Sequence, residues 1–390
     1  MTLLNRRSLL LSGCAATLIS MAPGARADTG AGKRKLVIII LRGAMDGLAA
    51  LPSIADKDIR AHRAALIDDK AVALSDGFAL HSAMPGLAAM YRAKEAAFVP
   101  AIAGPYRERS HFEAQDLLEC GEIARVSPDG WLNRAMLRAP AAYSAVSIGP
   151  STPLLLRGAT VSATSWSPAV LPEASEDTLQ RLLDLYEGDP ILKRSLTAAV
   201  AADMIASSMQ ADGASGGMGG RAGPAQYVPQ LEAAGKFLAQ SGGPEIAVVS
   251  LEGWDTHAGQ NQMLQQRFTA LDNGIAALKA QLGDIWKTTA VVAISEFGRT
   301  VRVNGGGGTD HGTGGLAILA GGAVKGGRIL GDWPGLKPAA LFEDRDLMPA
   351  VDARSLFKGL LRDQLGWAAN DLDASVFRDS AAVKAMDGLV

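Results

Sequence analysis

The order of patterns along this chain predicts an α/β fold in which one mostly parallel central sheet is covered by helices on both faces. Three observations carry that expectation: short apolar runs rich in Val and Ile, helical patterns lying between or after them, and acidic and histidine residues gathered in glycine-flanked segments beyond the runs. In sheets of this kind ligands bind where the strands end, so the last observation bears on a site as well as on the fold.

Asn5-Arg6-Arg7-Ser8 precedes a mostly apolar run to Met21, and Ala25-Arg26-Ala27 follows. Twin arginines, a short apolar core and a small-x-small site predict an export signal of the twin-arginine type over residues 1–27. The translocase of that route is then a partner during export, and the destination is the periplasm or the medium. An alternative reads Leu11-Ser12-Gly13-Cys14 as a lipoprotein box that tethers the chain through Cys14. Nothing later offers about 18 uninterrupted apolar residues, so no membrane span is expected. With Cys14 removed, Cys120 is the one cysteine left, and stability has to come from burial rather than a disulfide. Losing Arg6, Arg7 and Arg26 takes the formal charge from −2 to about −5, with no basic block beyond Lys33-Arg34-Lys35. Nucleic acid is not an expected partner.

Leu36 to Leu41 is continuously apolar and β-branched-rich, which predicts a buried parallel strand feeding a tight loop, Arg42 to Gly47. Ala97 to Ala103, Ile246 to Leu251, Thr288 to Ile294 and Leu316 to Leu319 read as further strands. Helical patterns cover Pro85 to Lys94, Phe112 to Glu119, Gln262 to Leu282 and Ala353 to Leu365. Residues 140–245 differ, with scattered Pro, helical stretches near Leu179 to Tyr186 and Ile191 to Met209, and a Gly/Ala/Ser-rich piece from Gly213 to Pro224. They read as a helical insertion or cap within one domain spanning residues 28–390.

Acids and imidazoles follow the strands. Asp46 comes after the first, Asp255-Thr256-His257 after the Ile246 strand and Ser295-Glu296-Phe297-Gly298-Arg299 after the Thr288 strand, while Asp310-His311 closes a run of four glycines. Carboxylate oxygen and imidazole nitrogen can share a cation such as zinc or manganese. The bland alternatives are an Asx-turn with a surface histidine at Asp255, a Glu296–Arg299 ion pair and a mobile turn at the glycines. Ser110 opens a helical pattern, so it is a helix cap, a nucleophile, or both, because a helix N-terminus offers N–H groups to an anion beside the hydroxyl. His111 is a candidate base or ligand. His62 and His81 have no clustered partners and read as structural or exposed, and Cys120 as a buried small residue.

These motifs in this order resemble an exported bacterial family known as domain of unknown function 1501. The resemblance runs from the twin arginines through Ser110-His111-Phe112, Gly130-Trp131-Leu132, Gly253 to His257, Ser295 to Thr300, Gly308 to Gly312 and Asp352-x-Arg354. That family in turn resembles a branch of the alkaline phosphatase and sulfatase superfamily, which implies a three-layer sandwich and one or two divalent ions among zinc, manganese, magnesium and calcium. By position the resemblance implies Asp46, Asp255, His257, Glu296 and His311 as metal ligands and Ser110 as nucleophile; Asp310 is a further candidate ligand, and the planar guanidinium of Arg299 suits the oxygens of a phosphate or sulfate ester. The chain departs from the superfamily at Phe297, which stands where a histidine is usual.

The resulting expectation is a metal-dependent hydrolase of phosphate or sulfate esters, acting on an anionic small molecule or a glycan ester. One alternative is a non-catalytic binding or assembly protein on the same fold. Another is a metal-free hydrolase using Ser110 and His111, although adjacent residues rarely orient as nucleophile and base.

Overall fold

The computed structural model describes residues 34–123, 126–139, 143–149, 151–159, 163–166 and 223–390, with isolated positions between them. The expected signal, residues 1–27, and the helical patterns near 179–186 and 191–209 lie essentially outside these. Two compact units are distinguished, Lys33–Glu173 with Gly216–Val390, and Met1–Gly32 with Ala174–Ser215. Every element named here belongs to the first.

Strand β1 (Lys35–Arg42) lies in the middle of a nine-stranded sheet. The others are β4 (Ala96–Ala103), β5 (Ala145–Ile148), β6 (Ala163–Trp166), β7 (Ile246–Glu252), β8 (Thr289–Ile294), β9 (Gly315–Ala320), β10 (Arg328–Ile329) and β11 (Val351–Asp352). A small hairpin, β2 (Val72–Ala73) with β3 (Ala79–Leu80), stands apart. The strand order is β10-β4-β9-β8-β1-β7-β5-β6, with β11 also on β4. All pairings are parallel except those of β9, which runs antiparallel to both β4 and β8. The expected mostly parallel sheet is therefore present, with one reversed strand inside it.

Alternation along β1 divides its side chains between two faces. Leu36, Ile38 and Ile40 join a core with Trp131, Leu132, Phe357, Leu360 and Phe377, supplied largely by α5 (Trp131–Leu137) and α8 (Ala353–Leu365). Val37, Ile39 and Leu41 are fully buried on the other face, the side on which α6 (Tyr227–Ala239) packs against β7 and against α7 (Gln260–Leu282). Also present are α1 (Gly47–Ala50), α2 (Asp58–Arg63), α3 (Pro85–Arg92) and α4 (His111–Cys120). None of the described helices is long and apolar enough to cross a membrane.

Strands and helices expected from the sequence fall within about two residues of their observed ends. The expectation for residues 140–245 needs correction. Instead of a helical insertion throughout, β5 and β6 extend the parallel sheet beyond β7 in register with it, and α6 is one of the covering helices. Four-residue strands are too short for alternation to mark them.

Ile38 is buried in the centre of the sheet, so Ile38→Ala should cost about 2–5 kcal/mol of stability. The midpoint of urea unfolding measures it, and an unchanged midpoint would contradict this packing.

Candidate metal centre

Five segments meet at the carboxyl edge of the sheet. The loops after β1, β4, β7 and β8 reach it because these strands are parallel. The loop before β9 reaches it for the opposite reason, since an antiparallel strand starts where its neighbours end. That loop carries Asp310 and His311. It is registered by Gly298 N–H donating to Thr313 O and Gly312 N–H donating to Gly298 O, both at 2.9 Å. Gly298 permits the approach, because a Cβ there would lie 1.9 Å from Gly314 O. Gly43 is required in the β1 loop, at φ +112° and with a Cβ position only 2.6 Å from Asp255 N.

Three imidazoles gather around the Asp255 carboxylate. Nε2 of His311 lies 2.9 Å from Nε2 of His111 and 3.0 Å from Nε2 of His257. Asp255 Oδ1 is 3.0 Å from His257 Nε2 and 3.3 Å from His311 Nε2, and Oδ2 is 3.6 Å from His111 Nε2. His111, Asp255 and His311 offer ligand atoms within 4.8 Å of one another and could hold a metal ion; among the described residues no other such group occurs.

Each imidazole has its far nitrogen committed. His111 Nδ1 donates to Glu296 Oε1 at 2.7 Å and His311 Nδ1 to the Arg109 carbonyl at 3.0 Å, while His257 Nδ1 lies 3.3 Å from Asp310 Oδ1. A carbonyl oxygen only accepts, so Nδ1 of His311 carries the proton and its Nε2 a lone pair. Glu296 already accepts from Gly43 N at 2.9 Å, Ala44 N at 3.2 Å and Gln115 Nε2 at 3.1 Å. An ionised carboxylate so placed makes His111 Nδ1 a donor as well. In their neutral forms the two rings therefore point lone pairs at each other across 2.9 Å, an arrangement that calls for a proton or a cation between them.

The donor set fits a cation. Metal–nitrogen bonds of about 2.0–2.1 Å in a tetrahedron put ligand atoms roughly 3.3 Å apart, close to the 2.9–3.6 Å separations among His111, His311 and Asp255. Two imidazoles and a carboxylate, with a third imidazole alongside, favour zinc or a similar transition ion over magnesium or calcium.

The residues expected as ligands thus separate into two groups. Asp255, His257 and His311 are brought together, and His111, expected as a base or ligand, joins them. Glu296 is a correction: fully buried, it stands behind His111 with its oxygens taken by N–H groups and by Ser295 Oγ at 2.9 Å. Burial, the strongest influence on it, pushes its carboxyl up, but the bonds from His111 and Gln115 outweigh this and leave it below its ordinary value. Asp310 likewise stands behind His257 and also accepts from Asn304 at 3.1 Å. Oxygens behind metal-binding histidines fix the ring orientation and raise the basicity of the ligating nitrogen.

Asp46 is the larger correction. Its carboxylate is fully buried and caps α1 through Ala49 N, accepts two bonds from Arg63 at 3.1 and 2.5 Å, and accepts from Gln260 Nε2 at 2.6 Å. With both oxygens taken it stays outside the cluster. Arg299, expected to face ester oxygens, is only 1% exposed and donates to Asp255 Oδ1 at 2.6 Å and to the Thr309 carbonyl at 2.5 Å. It positions Asp255 rather than facing solvent. Phe297 lies against the rings, stacked on His111 at 5.0 Å and tilted against His311 at 5.4 Å. His111 supplies, from a different segment, the imidazole absent at position 297.

Ser110 occupies the cap position of α4 without making a side-chain cap bond, and the Tyr106 phenol lies within hydrogen-bonding reach of it. His62 and His81 are structural: His62 Nε2 meets the Leu336 carbonyl at 2.9 Å, and His81 is buried with Nδ1 accepting from Ala83 N. Cys120 is buried. Sequence reasoning missed the Arg109 carbonyl, whose residue adopts φ +61° while its guanidinium is held by Asp346 at 2.8 Å and Glu343 at 2.5 Å. A backbone group held in a strained conformation leaves no mark on side-chain identity.

Comparison with known proteins adds a family. The model described as "Protein of unknown function (DUF1501)" matches residues 177–376. The chain belongs to this family. The family's matched span contains Asp255, His257, Glu296, Asp310 and His311, and ends short of His111 on its N-terminal side. No curated protein matches. Similar solved structures include the phosphonate monoester hydrolase of Agrobacterium radiobacter, at 13% identity over 86% of this chain and 74% of that one, with TM-score 0.39. A protein in the alkaline phosphatase superfamily from Vibrio parahaemolyticus is 11% identical over 74% of this chain and 60% of its own, with TM-score 0.39. Alkaline phosphatase from the Antarctic bacterium TAB5 is 10% identical over 74% of this chain and 91% of its own, with TM-score 0.36. Likenesses this distant say nothing about what the chain does.

Bonds to Asp255 and Glu296 raise His111 to about 9, although burial acts the other way. Asp255 is held well below the ordinary carboxylate range: burial, its strongest influence, raises it, and bonds from His111, His311 and Arg299 outweigh burial. A His raised above its unfolded value of about 6.5 stabilises fully below that pH and loses the contribution as pH rises through the folded value. Chelator-treated protein should therefore melt at progressively lower temperature as pH climbs from about 6.5 through about 9, and His111→Gln should flatten the trend. Thermal melts across that window check it, and a flat wild-type profile counts against the cluster as drawn.

Proposed function

We propose that this chain is an exported, metal-dependent hydrolase of phosphate or sulfate esters in which Ser110 is the nucleophile. The single observation that carries the reading is the approach of two imidazole Nε2 atoms, of His111 and His311, to 2.9 Å beside the Asp255 carboxylate. His111, His311 and Asp255 would hold one cation, with His257 beside His311 and Asp255. When bound, such an ion supplies Lewis-acid stabilisation of charge on an ester oxygen. Arg299 holds Asp255 toward the imidazoles, and Glu296, Asp310 and the Arg109 carbonyl keep the rings turned inward.

Ser110 directly precedes His111 in the loop that follows β4 at the same edge. Its side chain makes no cap bond, and the 10-residue α4 presents first-turn N–H groups and a positive potential there. These features suit an anionic substrate and a developing negative charge on its oxygens.

Two observations favour a non-catalytic binding protein instead: among the described residues no imidazole or carboxylate bonds the Ser110 hydroxyl directly, and Arg299 is turned inward. Metal analysis of protein purified without chelator, followed by assays on aryl phosphates, phosphodiesters and aryl sulfates, separates the readings. The hydrolase reading expects bound metal that is lost in Asp255→Ala and His311→Ala, and turnover reduced at least about 100-fold in Ser110→Ala. Metal-free protein whose Asp255→Ala and His311→Ala variants melt unchanged refutes the metal centre, and metal binding without Ser110-dependent turnover leaves the binding reading.

Export by the twin-arginine route rests on Arg6-Arg7, the apolar run and Ala25-Arg26-Ala27. Replacing both Arg6 and Arg7 with Lys should retain the full-length chain in the cytoplasm, as cell fractionation would report. Periplasmic recovery of that variant would point to another route.

A further inference from the structure

Three of the loops at this edge meet on one buried side chain. Gln260 is the first residue of α7, a 23-residue helix, and is fully buried. Its Oε1 accepts from Thr256 Oγ1 at 3.0 Å and from Thr309 Oγ1 at 2.7 Å, while its Nε2 donates to Asp46 Oδ2 at 2.6 Å. Thr256 lies between Asp255 and His257. Thr309 immediately precedes Asp310-His311 and accepts from Arg299 Nε at 3.2 Å, and Arg299 in turn holds Asp255. Asp46 ends the β1 loop that supplies Gly43 N and Ala44 N to Glu296, the partner of His111. The main chain follows the same path, with Gly259 N donating to Gly306 O and Gln260 N to Gly307 O, both at 3.1 Å.

An amide suits this position where other side chains would not. It offers one acceptor oxygen to two hydroxyl donors and a donor nitrogen to a carboxylate, so a single group satisfies buried polar atoms from three segments. A carboxylate would repel Asp46, and an apolar group would strand both threonine hydroxyls. Mounting the amide on the first turn of a long helix packed on the sheet gives the loops a rigid reference.

The geometry points to Gln260 as a positioning residue for the proposed metal centre: it sets the mutual placement of Asp255, His257 and His311, and hence the affinity for the cation, without touching it. This inference rests on the metal-centre reading above. Supporting groups of this kind typically change metal affinity by about 10- to 100-fold when removed.

The test measures zinc affinity by competition with a chromophoric chelator, on the purified exported protein, beside thermal melts without metal. Gln260→Leu should weaken zinc binding about 10- to 100-fold, and Thr309→Val, which removes one arm and preserves shape, should weaken it several-fold. Ile38→Val, a sheet-core control away from the edge, should lower the melting temperature and leave zinc affinity unchanged. If Gln260→Leu fails to fold, Thr309→Val and Thr256→Val carry the same comparison. Unchanged zinc affinity in folded Gln260→Leu or in both threonine variants overturns the inference while leaving the metal centre standing. An equal loss of affinity in the Ile38→Val control also overturns it, because the effect then follows stability alone. Wild-type protein with no measurable zinc binding overturns both this inference and the metal-centre reading.

Discussion

At the carboxyl edge of the sheet, each imidazole has its Nδ1 set against an oxygen, and this commitment governs the other arrangements there. With Glu296 and the Arg109 carbonyl accepting protons from His111 and His311, the remaining nitrogens turn toward each other and toward Asp255. Holding lone pairs together is unfavourable in a partly buried site unless positive charge lies between them. The surroundings therefore have to be stiff. Glu296 is pinned by two backbone N–H groups and an amide, and Asp255 by a buried guanidinium, so neither can relax away from the rings.

Stiffness of this kind depends on the sheet beneath. The loops carrying Asp46, Asp255 and Glu296 leave β1, β7 and β8, three adjacent strands whose side chains are almost entirely buried. Fully burying each of their large aliphatic side chains contributes about 1.5–3 kcal/mol, which keeps the strand ends in register. The backbone absorbs strain in return: Ala44 and Arg109 both adopt positive φ, and one supplies an N–H to Glu296 while the other supplies a carbonyl to His311. Residues in that region cost of order 1–3 kcal/mol and persist where their surroundings over-determine them.

Much of the fold was legible because the apolar runs are long enough to show their period. Helix α8 begins and ends where its pattern does, and β1, β4, β7, β8 and β9 differ from their runs by a residue or so. β5 and β6 were not legible, because four residues show no periodicity and β5, on which β6 pairs, is itself held by β7 about 100 residues away. The site was legible in kind but not in detail. Asp255, His257 and His311 announced themselves by lying beyond strands, yet nothing in residue type distinguishes Asp255 from Asp46 or Glu296, which are equally acidic and equally placed. What distinguishes them is the supply of donors: Asp46 is saturated by Arg63 and Gln260, and Glu296 by N–H groups.

By itself the sequence determined the layered α/β architecture and the set of titratable residues at the strand ends, because hydrophobic periodicity and residue chemistry are local properties. Tertiary structure decided the direction of β9, which delivers His311 to the edge from the opposite end of its strand. It also placed His111 beside the rings, so that Phe297 is a stacking floor rather than a missing ligand. Which carboxylates face the imidazoles and which stand behind them was settled there as well. These outcomes turn on contacts between segments far apart in the chain, and no local pattern encodes which buried donor will reach a given oxygen first.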